Sequence, residues 1–142
     1  MLSKGTPDYQ REIGGARFNG SYIQSYKQNL DIRMRDTLIE NLKPEQVEYG
    51  AWWCFAMPLS DVTDFGLPFP MFIKFDDVEY GTRCCKNAPI INVSGICVYH
   101  EDFNLKYSMH LEYYTLRNQL IMLAAHGNGS TLKALLRLIK SS

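Results

Sequence analysis

Three apolar runs decide the fold: Ala51-Trp52-Trp53-Cys54-Phe55-Ala56-Met57, Met71-Phe72-Ile73-Lys74-Phe75 and Ile90-Ile91-Asn92-Val93. Each is too short for a helix, rich in aromatic or β-branched residues and bounded by Pro, Gly or Asn, so each reads as a strand. In the first run both alternating faces are apolar, the pattern of a strand covered on both sides. The second run extends through Val78 to Tyr80, with Asp76, Asp77 and Glu79 marking a strand end or hairpin tip. The third extends to His100, with Gly95 as a bulge. Short connections leave no room for crossover helices, so the expected sheet is an antiparallel meander.

Helical periods flank this middle. Ile23, Leu30, Met34, Leu38 and Leu42 recur at helical spacing over 22–42, with Ser21 as N-cap and Pro44 ending the helix. Met109, Tyr113, Leu116, Leu120 and Leu123 line a second helix over 105–126, capped by Asp102 or Asn104 and closed by Gly127 in a left-handed conformation. Leu132, Leu135, Leu136 and Ile139 line a third, over 131–140, capped by Ser130. The short Gly127-Asn128-Gly129 link makes the last two an antiparallel hairpin. The expected architecture is α+β: a small antiparallel sheet of three to four strands, an N-terminal helix and a C-terminal helical hairpin. The expected core is Trp53, Phe55, Phe72, Ile73, Val93, Leu30, Leu38, Leu116 and Leu120. Residues 1–20, with four glycines and no apolar period, read as a flexible arm, and 21–142 as a single domain.

A chain of 142 residues that is 46% hydrophobic and 21% charged can bury one sizeable core without staples. No run of eighteen apolar residues and no basic-then-apolar start is present, so the expected location is cytoplasmic, with no membrane span. Cys54, Cys84, Cys85 and Cys97 then read as reduced thiols. Asn19-Gly20-Ser21, Asn92-Val93-Ser94 and Asn128-Gly129-Ser130 fit the glycosylation pattern, which matters only in a secreted protein. The net charge of zero hides a split: residues 51–105 carry three basic against seven acidic side chains, and residues 106–142 carry five against one. That asymmetry suits C-terminal helices packed on an acidic middle.

The chemical motifs are weak. Cys84, Cys85, Cys97 and His100 offer zinc-ligand types, but the paired knuckles of a zinc site are missing, and no metal is expected. His110-Leu111-Glu112 has the deaminase H-x-E form without the downstream cysteines, and residues two apart on a helix diverge by about 200°. Asp64-Phe65-Gly66 echoes a kinase tripeptide without its companion loops. No phosphate-binding glycine loop occurs, and no cofactor is implied. Asp76 and Asp77 with Glu79, or Glu101 with Asp102, have the makings of a divalent-cation or acid–base pair, yet adjacent acids at strand ends are ordinarily solvated.

The resulting expectation is a non-enzymatic protein-interaction module, an accessory, adaptor or inhibitor protein of phage or viral type, acting alone or as a homodimer. Its contacts would be the aromatic and apolar residues Trp52, Phe65, Leu67 and Phe69. The first alternative is a nucleic-acid binder using Lys133, Arg137 and Lys140 of the last helix with Arg11 and Arg17. The second is a small zinc-dependent hydrolase or deaminase.

Overall fold

The computed structural model describes residues 2–3, 10–11, 15–18, 23–25, 30–31, 33–96, 98–100 and 108–127. In chain order these form β1 (Leu2–Ser3), β2 (Gln10–Arg11), β3 (Gly15–Phe18), β4 (Ile23–Ser25), β5 (Leu30–Asp31), α1 (Arg35–Leu42), β6 (Glu45–Val47) and β7 (Tyr49–Gly50). There follow α2 (Leu59–Phe65), α3 (Asp76–Cys84), β8 (Ile90–Asn92), β9 (Tyr99–His100) and α4 (Met109–His126). The chain is α+β, as its patterning implied. An antiparallel sheet in the order β4-β3-β7 and a β6-β8 ladder are joined by a mixed sheet, β5-β2-β1-β9, in which β1 and β9 run parallel.

Where the strands lie differs from the periodic reading. Residues 51–57 form no strand; they cross the molecule as turn and irregular backbone between β7 and α2. The expectation of two covered faces does not hold: Ala51, Trp53 and Phe55 are half-buried, whereas Trp52, Cys54, Ala56 and Met57 are exposed. The stretch 22–42 is not one helix either: β4 and β5 occupy its first half, and the helix begins at Arg35. It ends at Leu42 because Lys43, which precedes Pro44, is extended at φ −78° and ψ 124°. Residues 1–20, expected as an arm, contribute β1 to β3. Ala16 of β3 is buried, and the amide of Phe18 donates to the Glu48 carboxylate at 2.7 Å.

The largest departure is α3. Asp76-Asp77-Val78-Glu79 looked like the tip of a hairpin, but acidic residues in a first turn also complement the positive end of a helix dipole. Glu79 and Arg83 are then four apart on one face. Gly81 lets α3 lie directly on β7: a Cβ there would stand 2.4 Å from the Cβ of Tyr49.

The core is Met71, Phe75, Val78 and Met122, flanked by Phe18, Ile23 and Tyr49. Of the residues expected there, Trp53, Phe55 and Leu30 are half-buried, whereas Phe72, Ile73, Val93, Leu38, Leu116 and Leu120 are exposed. Helix α4 explains part of this shift. It is apolar nearly all round, and the face it buries holds Asn118, Met122 and Leu123 rather than the stripe through Leu116 and Leu120. Its cap is Ser108, whose hydroxyl accepts from the amide of Leu111 at 3.2 Å, and Gly127 beyond it is not left-handed (φ −70°). The helix expected over 131–140 lies outside the described residues. Among those described, no helix is long and apolar enough to cross a membrane.

Candidate functional site

Residues 69–75 deliver the chain to α3 through an unusual backbone. The amide of Ile73 donates to the carbonyl of Met71 at 2.8 Å across Phe72, whose φ is +68°, a γ-turn of the rare, strained hand. Lys74 (φ +60°) and Phe75 (φ +71°, ψ −3°) are left-handed as well. For side-chain-bearing residues each such conformation costs about 1–2 kcal/mol. Phe72 is 82% exposed while Met71 and Phe75 are buried, and the turn breaks the alternation at Ile73, which is exposed although it shares the parity of Met71 and Phe75.

The crook is held from α4. Asn118, with no exposed surface, points its amide nitrogen at the carbonyls of Met71 (3.1 Å), Ile73 (2.7 Å) and Lys74 (2.8 Å). Arg117 Nη2 donates to the Met71 carbonyl at 2.9 Å, and its Nε donates to Asn118 Oδ1 at 3.0 Å. The Arg117 guanidinium also lies over the Tyr114 ring at 4.9 Å, and Tyr114 in turn meets Phe72 at 5.4 Å.

The crook ends on Asp76 and Asp77. Burial pushes the carboxyl of Asp77 up from 3.8 to about 6, and the neighbouring charge of Asp76 adds to the rise. Hydrogen bonds from the amides of Val78 (2.8 Å) and Trp52 hold it lower than burial alone would. Trp52 is 36% exposed beside this carboxylate and meets Tyr80 edge-on at 5.8 Å. Asp77 is thus a half-buried carboxylate, raised to about 6, that accepts from the backbone amide of Trp52, and a carboxylate so raised is suited to taking a proton near neutral pH.

Two residues further along α3, Glu79 is wholly buried and fully engaged. It accepts from Arg83 Nε (2.9 Å, to Oε1) and Nη2 (2.9 Å, to Oε2), and His126 Nε2 lies 3.0 Å from Oε1. Arg83 also donates to the carbonyls of Phe65 and Leu67 and packs over the rings of Phe69 and Tyr80. Phe69 stacks on His126 with ring centres 6.4 Å apart. This network joins α3, the end of α4 and the 65–69 loop, and its groups are spoken for structurally.

The residues singled out from sequence fall in different places. Trp52 borders the Asp77 carboxylate. Phe65, Leu67 and Phe69 gather around Arg83, with Leu67 exposed and Phe65 half-buried. Arg11 lies in β2 and Arg17 in β3, which belong to different sheets. Lys133, Arg137 and Lys140 lie outside the described residues, as does Cys97. Among the described residues no three His, Cys, Asp or Glu side chains gather as a metal site. Burial pushes the thiols of Cys84 and Cys85 up, which disfavours the nucleophilic thiolate. A cleft of about 400 Å³ is lined by Trp53, Asp61, Tyr80 and Cys84; Asp76 and Asp77 are not among its walls.

Sequence reasoning passed over Asp77 and Asn118. The paired acids were visible but read as solvated strand ends. Asn118 carried no signal beyond being a polar residue inside an apolar helix.

No family model and no solved structure matches the chain. Among curated proteins it is 33% identical over 86 residues to the galactofuranosyltransferase GlfT2 of Mycobacterium tuberculosis (strain ATCC 25618 / H37Rv). It is 31% identical over 86 residues to GlfT2 of Mycolicibacterium smegmatis (strain ATCC 700084 / mc(2)155). Each match covers 58% of this chain and, respectively, 14% and 13% of the relative, so the chain spans about one seventh of the proteins it matches. The relatives are enzymes, and this overturns the expectation of a non-enzymatic accessory, adaptor or inhibitor module.

Proposed function

We propose that this chain carries the acceptor-activating part of a glycosyltransferase site, with Asp77 as general base and Trp52 as the wall against which a sugar ring lies. The observation that carries the reading is the Asp77 carboxyl, raised to about 6 at the mouth of α3. The partial match to galactofuranosyltransferases supplies the reaction class.

Glycosyl transfer joins an acceptor hydroxyl oxygen to the anomeric carbon of a donor sugar. As that bond forms, the donor's bond to its leaving group breaks and the leaving group departs with the electron pair, while the hydroxyl proton passes to a base. A carboxylate with a pKa near 6 is largely ionised at neutral pH yet more basic than an ordinary one, the compromise a general base requires. Trp52 offers an apolar face to the C–H side of a pyranose or furanose ring, and fixing the ring there would bring one hydroxyl within reach of Asp77.

Methyl β-galactofuranoside serves as the probe. In ¹H–¹⁵N NMR spectra of the 142-residue chain it should shift the amides of Trp52, Asp77 and Val78 saturably, and Trp52→Ala should weaken binding at least tenfold. Binding that survives Trp52→Ala unchanged, or shifts spread evenly over the surface, refutes the reading.

A further inference from the structure

We infer that Asn118 is the positioning residue of this site: its single amide group holds the left-handed crook at residues 72–75 in the one shape that presents Asp77. The inference rests on the reading of Asp77 as base and extends it to a residue that touches no substrate.

Three observations converge. The carbonyls of Met71, Ile73 and Lys74 all turn toward one nitrogen, at 3.1, 2.7 and 2.8 Å. An extended strand sends the carbonyls of Met71 and Ile73 to one side and that of Lys74 to the other, so gathering all three on one nitrogen needs a departure from strand geometry, and the positive φ angles at Phe72, Lys74 and Phe75 supply it. None of those three residues is glycine, so the local sequence does not favour the shape and something else must hold it. Finally, Asn118 is itself fixed: it has no exposed surface and its Oδ1 is occupied by Arg117 Nε.

The crook leads without a spacer into α3. Phe75 is the residue before the helix, and Asp76 and Asp77 are its first two residues. A change in the φ angles of residues 72–75 therefore rotates the start of α3 and moves Asp77 relative to Trp52. The carboxylate would leave its half-buried place, and the burial that sets its basicity would be lost. Asn118 thus acts on the proton-accepting group from the far side of the loop, through backbone alone.

The test uses the 142-residue chain and three readouts: circular dichroism for folding, HN–Hα couplings at Phe72, Lys74 and Phe75 for the left-handed φ angles, and a ¹³C carboxyl titration of Asp77. Asn118→Ala is compared with Leu123→Ala, a core truncation on the same helix outside the crook. The expected result is that N118A alone loses the left-handed couplings and drops the Asp77 midpoint by about one pH unit or more toward 3.8, while L123A keeps both. Unchanged couplings and midpoint in N118A overturn the proposal, as do equal changes in L123A. Should N118A fail to fold, Phe72→Gly together with Lys74→Gly in the same chain should restore folding, because glycine reaches those φ values without a clamp. Failure of that rescue also overturns the proposal. The two readings separate cleanly. An ordinary midpoint in the wild type removes the base and leaves the clamp to the couplings; a wild-type midpoint near 6 that persists in N118A keeps the base and removes the clamp.

Discussion

Replacing Asp77 by Asn should stabilise the protein at neutral pH, by an amount the site itself sets. Below pH 3.8 the carboxyl is protonated whether the chain is folded or not, and it imposes no penalty. As pH rises through 3.8 the unfolded chain releases the proton into water, while the folded chain keeps it until about pH 6. Between those values the folded state binds more protons, so stability falls as pH rises, and above about 6 the loss is complete. A gap of about two pH units, at about 1.4 kcal/mol each, makes that loss about 3 kcal/mol. Asn has the same shape and its Oδ1 can still accept from the amide of Val78, so the substitution removes the titration with little change in packing. Urea denaturation at pH 4, 5, 6, 7 and 8, followed by fluorescence of Trp52 and Trp53, measures both proteins. The stability difference, variant minus wild type, should climb by about 2 kcal/mol from pH 4 to pH 7, part of the full loss having already occurred at pH 4, and then level off. A difference that stays flat across that range means Asp77 titrates normally, and the argument from burial to basicity fails.

Three further outcomes follow from the same geometry. Glu79→Ala strands the Arg83 guanidinium without its buried partner and should cost about 3–5 kcal/mol in urea denaturation at pH 7; a loss under 1 kcal/mol would mean the pair contributes nothing as a unit. Gly81→Ala gains about 1 kcal/mol of helix propensity but drives a methyl into Tyr49, so a net destabilisation of about 1–3 kcal/mol is expected, and a raised melting temperature would contradict the close approach of α3 to β7. Met122→Ala empties the centre of the core and should cost about 2–5 kcal/mol, whereas Leu116→Ala on the exposed face of α4 should change stability by about 0.5 kcal/mol or less. Equal effects of the two would place the buried face of α4 wrongly.

Local chemistry was enough for some of this protein. The α+β class, the end of α1 ahead of Pro44, the existence of a helix over 109–126, though not the face it buries, and the irregularity around Gly95 can be read from residue types, because proline, glycine and a long helical period act through the backbone within a few residues. Period alone misled where two solutions share one pattern. The doubly apolar run at Trp52-Trp53 fits a covered strand and an irregular crossing equally well, and Asp76-Asp77-Val78-Glu79 suits both a hairpin tip and a helix start. The i, i+4 pair of Glu79 and Arg83 could have tipped the second choice, since only a helix brings them together.

Residue types alone were enough for the α+β class, for the end of α1 ahead of Pro44, for a helix over 109–126, for enough apolar surface to build a core, and for an acidic pair in the middle of the chain. Only the tertiary structure decided that Asp77 is half-buried beside Trp52, that Glu79 is locked into a closed network, and that Asn118 gathers three carbonyls of a loop more than forty residues away. The division has a physical reason. Dihedral preferences and capping are properties of a few neighbouring residues, whereas a carboxyl's basicity and a strained backbone's persistence depend on what distant segments remove from water and where they place their donors.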